Sequence, residues 1–146
     1  MTDEYYMKMA LQQAREAADN GEVPIGAVII SNDRVVGKGH NLVETLGDVT
    51  AHAEMQAITA ASETLGGKYL PDCTLYVTVE PCAMCAAALG WAQIGRIVFG
   101  ADDEKRGYRK VYGEGHSPLH PKTTVTGGVL GAECATLMTD FFKALR

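Results

Sequence analysis

The amino-acid sequence predicts a layered α/β domain, with a mixed sheet covered by helices on both faces. Three features predict it. Strand-like and helix-like segments alternate along most of the chain. The first two strands are separated only by a short polar turn, which makes them an antiparallel hairpin. The 146 residues contain no internal repeat, linker or low-complexity tract, so residues 1–146 read as one domain.

The elements follow in order. Met7, Ala10, Leu11, Ala14 and Ala18 recur at three- and four-residue spacing, which predicts an amphipathic first helix. Thr2 or Asp3 is its N-cap and Asn20-Gly21 its stop. Ile25–Ile30 is a buried strand, Asn32-Asp33 a turn and Val35–His40 the returning strand. Leu42–Thr50 reads as a loop. His52 to about Leu65 reads as a helix closed by Gly66-Gly67. Leu75–Val79 is a β-branched strand, and Pro81 suits the start of a helix running to about Gln93. Ile97–Phe99 is a further strand. Residues 102–120 are irregular and polar, Val125 belongs to a last short strand, and Leu130 onward is a helix with Leu137, Phe141 and Leu145 spaced at four. The later strand–helix–strand units are expected to be parallel.

Composition is that of an ordinary globular domain, 47% hydrophobic and 21% charged. A domain of this size buries about two-thirds of its unfolded surface and needs no disulfide staples. No apolar run approaches the roughly 20 residues of a membrane span, and the polar N-terminus lacks a signal-peptide pattern, so a cytoplasmic protein with no membrane partner is expected. The formal net charge of −5 argues against nonspecific nucleic-acid binding without excluding a local basic patch. Of the four cysteines, Cys73 and Cys134 lie in apolar surroundings and read as core, whereas Cys82 and Cys85 are a close pair.

Two motifs carry chemistry: Thr50-Ala-His-Ala-Glu54 and Val79-Glu-Pro-Cys-Ala-Met-Cys85. Each sits where a loop or strand end enters a helix, where unpaired amides and partial positive charge lower thiol pKa values. Cys82 and Cys85, at i and i+3, can converge on one point. Two thiolates and one imidazole make three ligands, the count for a catalytic zinc that keeps its fourth position for water. Zinc lowers the pKa of such a water from 15.7 to about 7. Glu54 lies about 200° around the helix from His52, which suits a proton shuttle better than another ligand. A redox Cys-x-x-Cys pair leaves His52 and Glu54 unexplained, and a structural zinc lacks a fourth ligand.

His-x-Glu followed by Pro-Cys-x-x-Cys is the signature of the zinc-dependent deaminases of the cytidine-deaminase superfamily. Within it the chain resembles the tRNA-specific adenosine deaminases over nearly its whole length. The resemblance runs through Glu22-Val-Pro-Ile-Gly-Ala-Val28, Gly39-His-Asn41, Asp48, Ile94–Ala101, Asp102-Asp103 with Lys105, Gly128-Val-Leu130 and Asp140-Phe-Phe-Lys143. It implies a three-layer α/β/α sandwich on a mixed, mostly parallel five-stranded sheet. It also implies a homodimer with active sites near the subunit interface and one zinc ion per subunit. The implied reaction is hydrolysis of adenosine to inosine at the wobble position of a tRNA anticodon.

By the same resemblance His52, Cys82 and Cys85 are the zinc ligands and Glu54 the catalytic acid and base. Asn41 hydrogen-bonds the purine, and Val23 and Pro24 wall its pocket. RNA contacts fall on Asp103, Lys105, Phe142, Lys143 and Arg146. The residues themselves add Arg106, Arg109 and Lys110, a basic cluster interleaved with Tyr108 and Tyr112, as suits single-stranded RNA in an anticodon stem-loop.

Some features depart from that family. Ala87 replaces a common glycine, and residues 107–120, with His116 and His120, replace its small-residue loop. Gly90-Trp91-Ala92 is similar to a segment of the related guanine deaminases and supports an alternative, a deaminase of a free base or nucleoside. A third reading, an inactive zinc-bearing RNA-binding subunit, expects the glutamate to be replaced, yet Glu54 is present.

Overall fold

A computed structural model describes residues 1–145. α1 (Asp3–Asp19) starts at Thr2, whose hydroxyl accepts the Tyr5 N–H at 3.1 Å. β1 (Gly26–Ser31) and β2 (Arg34–His40) form the expected hairpin. Asn32 and Asp33 both take positive φ at its turn, a conformation these two side chains tolerate. A four-residue helix, α2 (Val43–Leu46), interrupts the predicted loop. Then come α3 (Ala53–Leu65), β3 (Cys73–Val79), α4 (Ala83–Trp91), β4 (Arg96–Ala101), α5 (Tyr108–Tyr112), β5 (Thr124–Thr126) and α6 (Gly131–Ala144).

The five strands lie in the order β2-β1-β3-β4-β5. β1 is antiparallel to β2 and to β3, while β3–β4 and β4–β5 are parallel. Four of the five strands therefore run the same way, as expected of a mixed, mostly parallel sheet, and β1 alone opposes them. The reason is topological: β2, α3 and β3 form a parallel crossover unit, but β1 fills the gap between its strands and runs against both.

Period-two alternation sorts the strands into two cores. Ala27, Ile29, Leu75, Val77, Ile97 and Phe99 face Ala53, Ala57 and Ala61 of α3 and Leu89 of α4. Val28, Ile30, Tyr76 and Val98 face Met7, Ala10 and Leu11 of α1 and Cys134 of α6. The sandwich is thus three-layered. Arg96 clamps α1 to the sheet, donating two 2.8 Å hydrogen bonds to the Asp3 carboxylate, which also accepts from the Tyr76 hydroxyl.

α3 lies unusually close to β2 because the contact is made of the smallest residues. A Cβ added at Gly37 would stand 2.5 Å from the Ala57 carbonyl oxygen, and one at Gly39 would stand 2.4 Å from that of Ala53. This contact fixes where the first turn of α3 emerges. Gly39→Ala is expected to force α3 outward and to destabilise the fold by about 1–3 kcal/mol, the usual cost of overpacking. Urea unfolding checks it: the midpoint falls while the slope stays that of the native protein.

Candidate metal centre and cleft

Two helix N-termini meet at one end of the sheet, beyond the C-terminal ends of β3 and β4, where ligand sites of open α/β sheets form. His52 is the N-cap of α3 and Cys82 the N-cap of α4, both in extended backbone, and Cys85 follows within the first turn of α4. The His52 Nδ1 atom lies 3.6 Å from Cys82 Sγ and 3.5 Å from Cys85 Sγ. Bonds of about 2.0 Å to nitrogen and about 2.3 Å to sulfur at tetrahedral angles give an N···S edge of roughly 3.5 Å. The three side chains therefore fit a zinc ion. Among the described residues theirs is the cluster able to hold a metal, and Glu54 is not part of it.

The electrostatics are those of a ligand set. A hydrogen bond from Cys85 pushes the Cys82 thiol down to about 4, against burial and with help from His52. Cys85, the donor, is pushed up in turn. Contact with Cys82 raises His52. Glu54, only 4% exposed, is pushed up to about 7 by burial, with the Cys82 charge adding to the effect.

A cleft of about 770 Å³ opens in front of these groups. Its lining includes His52, Glu54, Cys82, Asn41, Val23 and Ile25, all buried or half-buried, together with the half-buried Asp103 and the exposed Lys105, Arg106 and Phe142. Asn41 is 8% exposed; its Oδ1 accepts the Val43 N–H at 3.1 Å, so the Nδ2 group is the donor left for a ligand.

Other expected site residues lie elsewhere. Pro24 is buried behind the wall and Ile25 takes its place, because successive residues of an extended segment point to opposite sides. Arg109 is occupied: Nε and Nη2 donate to Glu80 at 3.1 Å each, and Nη2 to Asp102 at 2.9 Å. Its guanidinium also lies over the Phe99 ring. It braces the loop that carries Lys105 and Arg106. The Asp103 carboxylate shapes the same loop by accepting the Lys105 and Arg106 N–H groups. Lys110 and Lys143 are exposed and do not line the cleft. Arg146 lies outside the described residues. Trp91 is 83% exposed and does not line the cleft, and His120 Nδ1 accepts the Lys122 N–H.

Sequence reasoning named Phe142 but missed the rest of the cleft-lining face of α6. Ala135, Met138 and Thr139 line the cleft with it at helical spacing, a signal obscured by the stronger Leu137–Phe141–Leu145 row. That row is not a core stripe: Leu145 is 68% exposed, Phe141 half-buried, and Cys134 is the buried residue of α6. It also passed over Glu22 and Glu80, two buried carboxylates whose partners lie far off in sequence.

Comparison with known proteins follows the same lines. The family model of the cytidine and deoxycytidylate deaminase zinc-binding region matches residues 1–101. The tRNA-specific adenosine deaminase of Aquifex aeolicus is 42% identical over 100% of this chain and 97% of its own length. The chain belongs to the tRNA-specific adenosine deaminase family. Another relative, the chloroplastic tRNA(adenine(34)) deaminase of Arabidopsis thaliana, is also 42% identical over 97% of this chain, which spans 12% of that longer protein.

A solved structure of a tRNA:A34 deaminase, studied for A-to-I editing at the wobble position, is 41% identical with a TM-score of 0.84, covering 91% of this chain and 98% of its own. The guanine deaminase of Bacillus subtilis is 39% identical with a TM-score of 0.67, but covers 70% of this chain and 66% of its own. For a member of this deaminase family, metal analysis should find about one zinc per chain. Cys82→Ala is expected to lose it, which inductively coupled plasma mass spectrometry of the dialysed protein checks directly.

Proposed function

We propose that the protein hydrolyses adenosine to inosine at the wobble position of a tRNA anticodon. The supporting observation is the continuity of the cleft: one cavity joins Glu54 and the ligand set to Asn41, and on to Lys105, Arg106 and Phe142. Its inner part suits a purine and its outer part an RNA strand, with cations for phosphate and an aromatic ring for stacking.

His52, Cys82 and Cys85 would hold a zinc ion, which when bound activates water for hydrolysis. The rest is done by side chains of this chain. Asn41 Nδ2 donates to a ring nitrogen of the purine, while Val23 and Ile25 exclude water from its edge. Glu54 takes a proton from the water and delivers it to purine N1, then carries a second to the C6 amino nitrogen. The water oxygen ends on C6, the C6–N bond breaks, and ammonia leaves. An anticodon nucleotide is already largely unstacked, so it reaches the cleft at little cost.

The guanine deaminase reading drew on Trp91, which does not line the cleft of this chain. No helix among the described residues is long and apolar enough to cross a membrane, and the reaction belongs in the cytoplasm with its tRNA. The chain works as a homodimer, a reading supported by α4, which has no charged residue and ends in the exposed Trp91.

Glu54→Ala is expected to keep its zinc and lose deamination, and turnover near that of the native protein would remove Glu54 from the reaction. Incubated separately with an anticodon stem-loop bearing wobble adenosine and with free guanine, the protein should form inosine in the RNA; xanthine as the sole product would establish the rival. Light scattering should give roughly twice the 15.6 kDa chain mass.

A further inference from the structure

Glu22 is fully buried and lies one residue before Val23 of the cleft wall. Among the described residues its carboxylate reaches no arginine or lysine. It accepts the Glu44 N–H at 3.0 Å, the Thr45 N–H at 2.6 Å and the Thr45 hydroxyl at 2.6 Å. Burial alone would raise its pKa, but these three hydrogen bonds win and hold it below the usual range.

Those donors belong to the first turn of α2. A helix leaves its first N–H groups without internal partners, and a four-residue helix has little else to hold it. Here each is assigned: Val43 N–H to Asn41 Oδ1, Glu44 and Thr45 N–H to Glu22, and Leu46 N–H to the Leu42 carbonyl. The backbone of Asn41 is tied by its N–H to the Ile25 carbonyl at 3.2 Å, and Leu42 N–H to that of Ala51 at 2.9 Å. The one freedom left to Asn41 is the direction of its amide, and Val43 settles that by occupying Oδ1.

We infer that Glu22 is a specificity-determining positioning residue: by capping α2 it keeps the Val43 N–H on Asn41 Oδ1 and so points the Nδ2 donor, and not the oxygen, at the purine. An amide free to turn offers donor or acceptor indifferently, and a ring nitrogen is bound by the donor alone. The inference rests on the function proposed above. Glu22→Gln retains shape but replaces one acceptor oxygen with an NH₂ group that faces an N–H, so at least one donor of α2 loses its partner.

The test compares single-turnover deamination of anticodon stem-loops carrying adenosine, 7-deazaadenosine or 3-deazaadenosine at the wobble position. The native protein is expected to disfavour one analogue by about tenfold, the worth of one hydrogen bond. Asn41→Ala should erase that preference, and Glu22→Gln should erase it too. A variant destabilised to the same extent in the opposite core, Leu11→Ala, should keep it. Thr45→Val, which removes one of the three donors, should reduce it, and carries the test if Glu22→Gln does not fold. Hydrogen exchange at the Glu44 and Thr45 amides should quicken in Glu22→Gln. Preference retained in Glu22→Gln, or lost equally in Leu11→Ala, overturns the inference. A native protein that forms inosine without any preference overturns the inference alone, whereas one that forms no inosine in RNA brings down the functional reading as well.

Discussion

The site depends on how closely α3 can approach the sheet. His52 and Glu54 stand at the start of α3, and Cys82 and Cys85 at the start of α4, which grows directly out of β3. For the imidazole to reach both sulfurs within 3.6 Å, α3 must sit deep against β2. Glycine at 37 and 39 opposite alanine at 53 and 57 permits that depth, since side chains there would occupy the space of the α3 backbone. The small residues thus act on the metal centre from a distance, by setting the height of one helix.

Three buried glutamates surround the cleft, and their environments divide their roles. Glu22 accepts two backbone N–H groups and a hydroxyl. Glu80 accepts the N–H groups of Asp103 and Arg109 and the Arg109 guanidinium. For both, burial is outweighed by these donors, so each stays an anion and serves as a fixed anchor for a loop. For Glu54 burial prevails over hydrogen bonds from its own backbone N–H and the Cys85 thiol, and its carboxyl is pushed the other way, to about 7. In the proposed reaction Glu54 is the carboxyl that accepts and releases a proton. The same residue type therefore builds the two walls and supplies the proton carrier.

How much of this was legible in the sequence varied with the range of the interaction. The hairpin, the helix starts and the Cys82–Cys85 pair depend on neighbours within a few residues, so turn chemistry, periodicity and spacing revealed them, whereas His52, 30 positions from Cys82, was joined to that pair by the resemblance of the two motifs to a known signature. α2 escaped because its stability comes from Glu22, some 22 positions away, and not from its own four residues. The Glu80–Arg109 pair, 29 positions apart, escaped similarly, and Arg109 read as a free cation because a sequence shows the charge and not its partner. Pro24 was misplaced by a smaller error, the side of the chain on which one residue points.

The two halves of the deaminase question also separate along the chain. The family model ends at residue 101, by which point Asn41, His52, Glu54, Cys82 and Cys85 have all appeared. In the proposed reaction those residues hold a zinc ion, move protons and donate to the purine, and a free purine would need no more. Lys105, Arg106, Met138 and Phe142 come later and form the outer part of the same cleft. The likeness to the tRNA enzymes extends through this region at 42% identity over 97–100% of the chain, whereas the guanine deaminase of Nitrosomonas europaea covers 94% of it at 25% identity and that of Bacillus subtilis 70% at 39%. A cleft built only for a free base has no use for cations and an aromatic ring beyond its floor. Their presence on α6 and on the loop braced by Glu80 and Arg109 makes a nucleotide held within an RNA strand the better fit to this cavity.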